Sequence, residues 1–164
     1  MTQGEIVAID GKTLRRSYDK ANNKAAIHMV SAWAAGNGIV LGQLKTDEKS
    51  NEITAIPNLL KLLEISGCIV TIDAMGCQRA IAEQIIDQQG DYVLGLKGNQ
   101  GVLHDAVEGF FLTAQASHFN GINYDYEEEL DKTHGRLETR RYWIRNVNAT
   151  RQAQMEGTEQ HWNG

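Results

Sequence analysis

Ile6-Val7-Ala8-Ile9-Asp10 and Cys68-Ile69-Val70-Thr71-Ile72-Asp73 carry one pattern twice: an apolar, largely β-branched run that ends in a carboxylate. Runs of this length and composition read as buried strands. Around them the chain alternates between two kinds of segment. Residues 25–35 and 39–44 flank Asn37-Gly38, a dipeptide that takes positive φ cheaply, so a hairpin is expected there. Ile53, Ile56, Leu59, Leu60 and Leu63 recur at helical spacing; Pro57 puts the helix start within a turn or so before it, and Gly67 closes it. A second helix is expected over 78–88, with Ala80, Ile81, Ile85 and Ile86 inward and Gly90 as its stop. Residues 92–97 read as a further strand. Asn99 is placed to cap a third helix whose stripe is Val102, Leu103, Ala106, Val107, Phe110 and Phe111. The order β, β-hairpin, α, β, α, β, α predicts an α/β fold, a mixed sheet with helices packed on it. Beyond Ala116 the periodicity weakens, and the acidic cluster of residues 125–131 reads as an exposed excursion. Residues 136–145 suggest one more strand with aromatic faces, and 146–164 form a polar, aperiodic tail.

With 164 residues, 41% hydrophobic and 23% charged, the chain has the length and composition of one globular domain. Nothing approaches the roughly 18–20 apolar residues of a spanning helix, and no leader is recognised, so a cytoplasmic protein with no membrane partner is expected. Cys68 and Cys77 lack metal-type spacing and suit a reduced compartment. Residues 1–100 balance to −1 and residues 101–164 to −4, so a whole-protein basic footprint for nucleic acid is absent. That weighs against a stand-alone DNA-binding module. It leaves room for an enzyme core in which metal ions and a few local cations meet phosphates.

Burying a carboxylate at the end of an apolar strand is costly unless it is paired or bound to metal. If the two strands are neighbours, Asp10 and Asp73 enter one crevice at the strand ends, where α/β folds bind ligands. Two such groups can bridge a pair of Mg²⁺ ions about 3.5–4 Å apart for phosphodiester chemistry. The alternative is that these aspartates cap a following turn or helix. Lys12, Arg15 and Arg16 follow Asp10 and could hold a phosphate backbone, or simply form a solvated loop face. Lys97-Gly98-Asn99-Gln100 lies at a strand-to-helix junction on the same edge, as an anion site or a plain connection. The five histidines lack the spacing of a zinc hydrolase, and neither a phosphate-binding P-loop nor a Gly-x-Ser-x-Gly elbow is present.

Several further stretches stand in one order: Ile9-Asp10-Gly11-Lys12-Thr13-Leu14-Arg15, His28-Met29-Val30-Ser31-Ala32, Lys49-Ser50-Asn51-Glu52-Ile53-Thr54-Ala55-Ile56-Pro57, Ile72-Asp73-Ala74-Met75-Gly76-Cys77-Gln78, Gly90-Asp91-Tyr92-Val93-Leu94, Leu96-Lys97-Gly98-Asn99-Gln100 and Thr133-His134-Gly135-Arg136-Leu137-Glu138. Together, over residues 4–145, they resemble the insertion-sequence DDE transposases of the ISAs-one type, also called H-repeat-associated proteins. The resemblance implies a ribonuclease-H-like fold and an acid triad holding two Mg²⁺ (or Mn²⁺) ions for DNA strand cleavage and transfer. Asp10 matches the first acid and Asp73 the second, both as metal ligands. Lys12, Arg15, Arg16 and Lys97 match positions near that site, Arg16 standing where the family often has glycine. The partners implied are insertion-sequence ends and target DNA, with a homo-oligomer on DNA.

The third acid is expected on a downstream helix with a His-Trp-x-x-Glu-Asn type motif, which His161-Trp162-Asn163-Gly164 does not match. Glu138 is the local candidate. The sequence is therefore expected to be truncated at both ends and the fold incomplete at the C-terminus, with residues 4–145 a partial catalytic core and 146–164 an aberrant tail. The competing reading is a non-catalytic remnant that binds DNA or a full-length transposase weakly. A generic metal-dependent phosphohydrolase ranks last.

Overall fold

The computed structural model describes residues 3–15, 17–18, 26–46, 52–133 and 136–145. Arg16, Lys49-Ser50-Asn51, His134-Gly135 and the tail 146–164 lie outside the described residues. Contacts divide the chain into two compact units, Met1–Ala106 and Val107–Gly164. No helix among the described residues is long and apolar enough to cross a membrane.

The first unit is built on a five-stranded mixed sheet. Its strands are β1 (Ile6–Thr13), β2 (His28–Ala34), β3 (Ile39–Lys45), β4 (Ile69–Ile72) and β5 (Asp91–Leu94), in the order β3-β2-β1-β4-β5. β1, β2 and β3 pair antiparallel, whereas β1, β4 and β5 run parallel. This is the ribonuclease-H-like mixed sheet that the resemblance implies. The hairpin turn falls at Asn37-Gly38 as expected, with Gly38 at φ +65°. Helices α1 (Glu52–Leu60) and α2 (Arg79–Asp87) cover one face. Their Ile56, Leu59, Leu60, Ile81 and Ile85 meet Val7, Ile9, Val30, Val70 and Ile72 in one buried cluster. Strand alternation sends the intervening residues to the other face. There Trp33 is 43% and Val93 60% exposed.

Several boundaries depart from the sequence-based expectations. β1 does not stop at Asp10, because antiparallel pairing with β2 continues through Lys12↔Met29 to Thr13↔His28. α1 ends at Leu60, where tightened turns (Leu62 N to Leu59 O, 3.0 Å) take over, well before Gly67. In α2 only Ile81 and Ile85, one full turn apart, are buried. Ala80 and Ile86 each lie one step round the helix and are exposed, Ile86 by 54%. The left-handed residue after α2 is Gln89, at φ 60°, and not Gly90. Residues 95–97 lie beyond β5, whose ladder with β4 ends at Leu94.

α3 spans Gly101–Ala116 and runs from the first unit into the second. Its expected stripe is exposed at Val102, Leu103, Ala106 and Val107 and only partly buried at Phe110 and Phe111. The second unit adds a long hairpin, β6 (Asp125–Thr133) with β7 (Arg136–Ile144). The acidic cluster is thus largely exposed, as expected, but forms a regular paired strand. Its carboxylates face a basic partner strand, Glu128↔Arg141 and Glu129↔Arg140, and opposite charges across a ladder stabilise the pairing. β7 is the aromatic strand expected: Trp143 packs against Tyr126, centroids 5.5 Å apart, and against Phe119, 6.3 Å.

Candidate active site

The parallel ladder of β1 and β4 ends with Ile9 opposite Ile72. The residue that follows on each side is an aspartate, Asp10 within β1 and Asp73 just past β4, so the two leave the last ladder pair of adjacent strands, which lie about 5 Å apart across a sheet. Ile9 and Ile72 both point into the core, so alternation sends both aspartates away from it, and both are exposed. Lys12 follows on the same face of β1 as Asp10 and is exposed. Arg15 lies in the loop beyond. That loop is stitched to the start of β2 by Leu14 N to Ile27 O, 2.8 Å, and by the Ser17 hydroxyl, which accepts from Ile27 N at 2.7 Å.

Asp73 does two things at once. It caps the short 3-10 turn Ala74–Gly76, its Oδ1 accepting from Met75 N at 3.0 Å. This is the capping alternative realised, and it fixes the carboxylate's orientation without using up its second oxygen. The strand-to-helix turn carrying Lys97 grips the same segment. Asn99 Nδ2 donates to Ala74 O at 2.7 Å, and Gln100 Nε2 donates to Cys77 O at 2.9 Å. Asn99 therefore does not cap α3 but ties a second turn to the one beside Asp73. Gly95 completes the edge. A Cβ there would sit 3.1 Å from Ala74 N and 3.3 Å from Asp73 C, so a side chain just past β5 would have to push the backbone beside Asp73 by a few tenths of an ångström. Lys97 is exposed two residues farther on.

Two neighbouring carboxylates are hard oxygen donors of the kind Mg²⁺ and Mn²⁺ take, so the residues present fit such ions. Glu138 lies in β7, in the second unit, opposite Asp131. It accepts from Arg140 Nη2 at 2.8 Å, and this carboxylate pushes the Arg140 guanidinium pKa further up.

A layer behind Asp10 carries no role in the sequence-based expectations. His28 Nε2 lies 2.7 Å from Glu52 Oε1, and His28 Nδ1 lies 2.9 Å from Thr13 Oγ1. These residues are 15 and 24 positions apart in the chain, so no local spacing announces them. The available signal was a histidine opening an otherwise apolar strand and a glutamate opening a helix.

The sequence profile of the family described as Transposase DDE domain matches residues 1–160. The chain belongs to this transposase family. It is 54% identical over 147 residues to "Putative transposase YncI" of Escherichia coli (strain K12), covering 90% of this chain and 58% of that protein. It is 49% identical over 143 residues to "H repeat-associated putative transposase YbfD" of the same strain, covering 87% of this chain and 55% of that protein. The chain spans 37% of the like-named YncI protein of Escherichia coli O157:H7, so it corresponds to about a third to three-fifths of these curated relatives. A cryo-EM structure of a piggyBac transposase synaptic complex with hairpin DNA aligns with 60% of this chain and 24% of its own, at TM-score 0.41 and 15% identity.

Proposed function

We propose that this transposase domain supplies Asp10 and Asp73 as paired metal ligands for divalent-metal-dependent cleavage and strand transfer of DNA. The observation that supports this most is the register Ile9↔Ile72, after which both strands deliver an aspartate at the same level. Two Mg²⁺ or Mn²⁺ ions bound there would supply an activated water and charge stabilisation on the phosphodiester. The chain's own residues hold and orient. Asp10 and Asp73 provide the carboxylates, and the Met75 amide, Asn99 and Gln100 fix the turn that aims Asp73. Lys12, Arg15 and Lys97 neutralise phosphates near the aspartates, with Arg16 joining them by its position in the family pattern, a sequence-independent contribution. The DNA partners are insertion-sequence ends and target, met in the cytoplasm by a homo-oligomer. Glu138 is kept as a candidate third acid.

One observation favours a second reading, in which DNA is bound but not cut. In the unit that holds Asp10 and Asp73, no third His, Cys, Asp or Glu among the described residues gathers with them at metal-ligand spacing. Nicking of supercoiled plasmid in Mn²⁺ separates the two. Nicking by the unmodified chain that is lost in Asp10→Asn supports the enzyme. Saturable, salt-sensitive DNA binding with no nicking supports the second reading. Nicking that persists in Asp10→Asn overturns the assignment of that residue.

A further inference from the structure

Gly11, immediately after Asp10, faces the α1 side of the sheet, and its missing side chain is replaced by another residue's carboxylate. A Cβ on Gly11 would fall 2.0 Å from Glu52 Oε1 and 2.2 Å from Glu52 Cδ. Glu52 opens α1, where a carboxylate is favoured by the helix dipole. It is held in place by His28 Nε2 at 2.7 Å, and His28 is held in turn by Thr13 at 2.9 Å. A carboxylate only accepts, so Nε2 carries the proton; in the neutral ring Nδ1 then accepts from the Thr13 hydroxyl. Thr13 and His28 are also opposite one another in the β1–β2 ladder. The chain Thr13–His28–Glu52 thus joins β1, β2 and α1 at one point, directly behind the backbone that carries Asp10.

We propose that Glu52 is a positioning residue: locked by His28, its carboxylate wedges against Gly11 and fixes the β1 backbone that aims Asp10. The inference rests on Asp10 being a metal ligand, and it explains why glycine stands next to that ligand. Glu52 acts through shape and one accepted hydrogen bond, not as a ligand itself. That distinction makes the proposal testable, because glutamine keeps both features and loses only the charge.

Two measurements on the full chain decide it. In Mn²⁺ titrations by calorimetry, Glu52→Gln should bind within about threefold of the unmodified chain, whereas Gly11→Ala should bind at least tenfold more weakly. The double variant Gly11→Ala/Glu52→Ala should be no weaker than Glu52→Ala, because Glu52→Ala removes the atoms that the added methyl would strike and the two changes are not independent. In amide hydrogen exchange, Glu52→Ala should speed exchange at residues 10–13 while exchange in β4 is unchanged. Unaltered Mn²⁺ affinity in Gly11→Ala, or a loss in Glu52→Gln as complete as in Asp10→Asn, overturns the proposal. If the unmodified chain binds no Mn²⁺, the metal reading fails, and the exchange result alone decides whether Glu52 positions β1. Exchange at residues 10–13 that Glu52→Ala leaves unchanged overturns positioning whatever the metal result.

Discussion

Asp73 is both a cap and a proposed ligand, and two substitutions pull those roles apart. Asp73→Ala removes the acceptor for the Met75 amide, whereas Asp73→Asn keeps an oxygen in the same place. Loss of an N-cap costs about 0.5–2 kcal/mol. Here the capped segment is a single turn that Asn99 and Gln100 also hold, at 2.7 and 2.9 Å, so the turn persists and the cost falls near the middle, about 1 kcal/mol. For a unit of this size that lowers Tm by about 4 °C. Thermal unfolding followed by circular dichroism, without metal, should therefore place Asp73→Ala below the unmodified chain by that amount and leave Asp73→Asn beside it. Adding Mn²⁺ to about 100 times its Kd should raise the unmodified chain by about 2.7 kcal/mol through binding to the folded state alone. Neither variant should gain this increment. An equal loss in Asp73→Asn and Asp73→Ala without metal, or the full Mn²⁺ increment in Asp73→Asn, would contradict this division of roles.

Gly95→Ala forces a methyl against the backbone of Asp73 and Ala74, which cannot swing aside as a side chain can. A loss of about 1–3 kcal/mol in urea unfolding is expected, with weakened Mn²⁺ binding. Cys68 is fully buried and burial pushes its thiol pKa up, whereas Cys77 is partly exposed. Iodoacetamide under native conditions should label Cys77 first, with Cys68 reacting only after denaturation, as read by peptide mass spectrometry. In the hairpin, hydrogen bonds from the Tyr126 hydroxyl and the Arg141 guanidinium hold Glu128 below the usual carboxylate range. A depressed carboxylate stabilises the fold above its unfolded pKa of about 4.3 and loses that contribution as pH falls through the folded value. Glu128→Gln should therefore flatten the acid side of a stability–pH profile; because the Glu128 carboxylate also holds the Tyr126 hydroxyl above its usual range, the fall in stability on the far alkaline side should weaken as well.

What could be read from the residues alone was what local pattern encodes. Ile9-Asp10 and Ile72-Asp73 announce themselves because each apolar run breaks at a carboxylate; the burial cost expected there does not arise, since alternation leaves both aspartates exposed, and the register sets the two strands side by side. The length of β1 past Asp10 was hidden, since Lys12 and Thr13 are held by a strand that begins at His28 and not by their own apolarity. Residues 125–131 read as an exposed excursion because the apolar periodicity weakens there, and the residues that pair them into a strand, among them Arg140 and Arg141, lie across the ladder. Asn99 has the chemistry of a cap, but its amide reaches Ala74, 25 positions away. The Glu52–His28 contact is equally non-local. Gly11 was its local trace, and glycine after a site aspartate has too many explanations to name the group that needs the space.

Calorimetric titration of Mn²⁺ into the metal-free chain, run side by side with Asp10→Asn and Asp73→Asn, bears most directly on the paired aspartates. Saturable binding in the unmodified chain that each substitution abolishes is the result predicted. Saturable binding of undiminished affinity in either variant would contradict a shared metal site at the ends of β1 and β4.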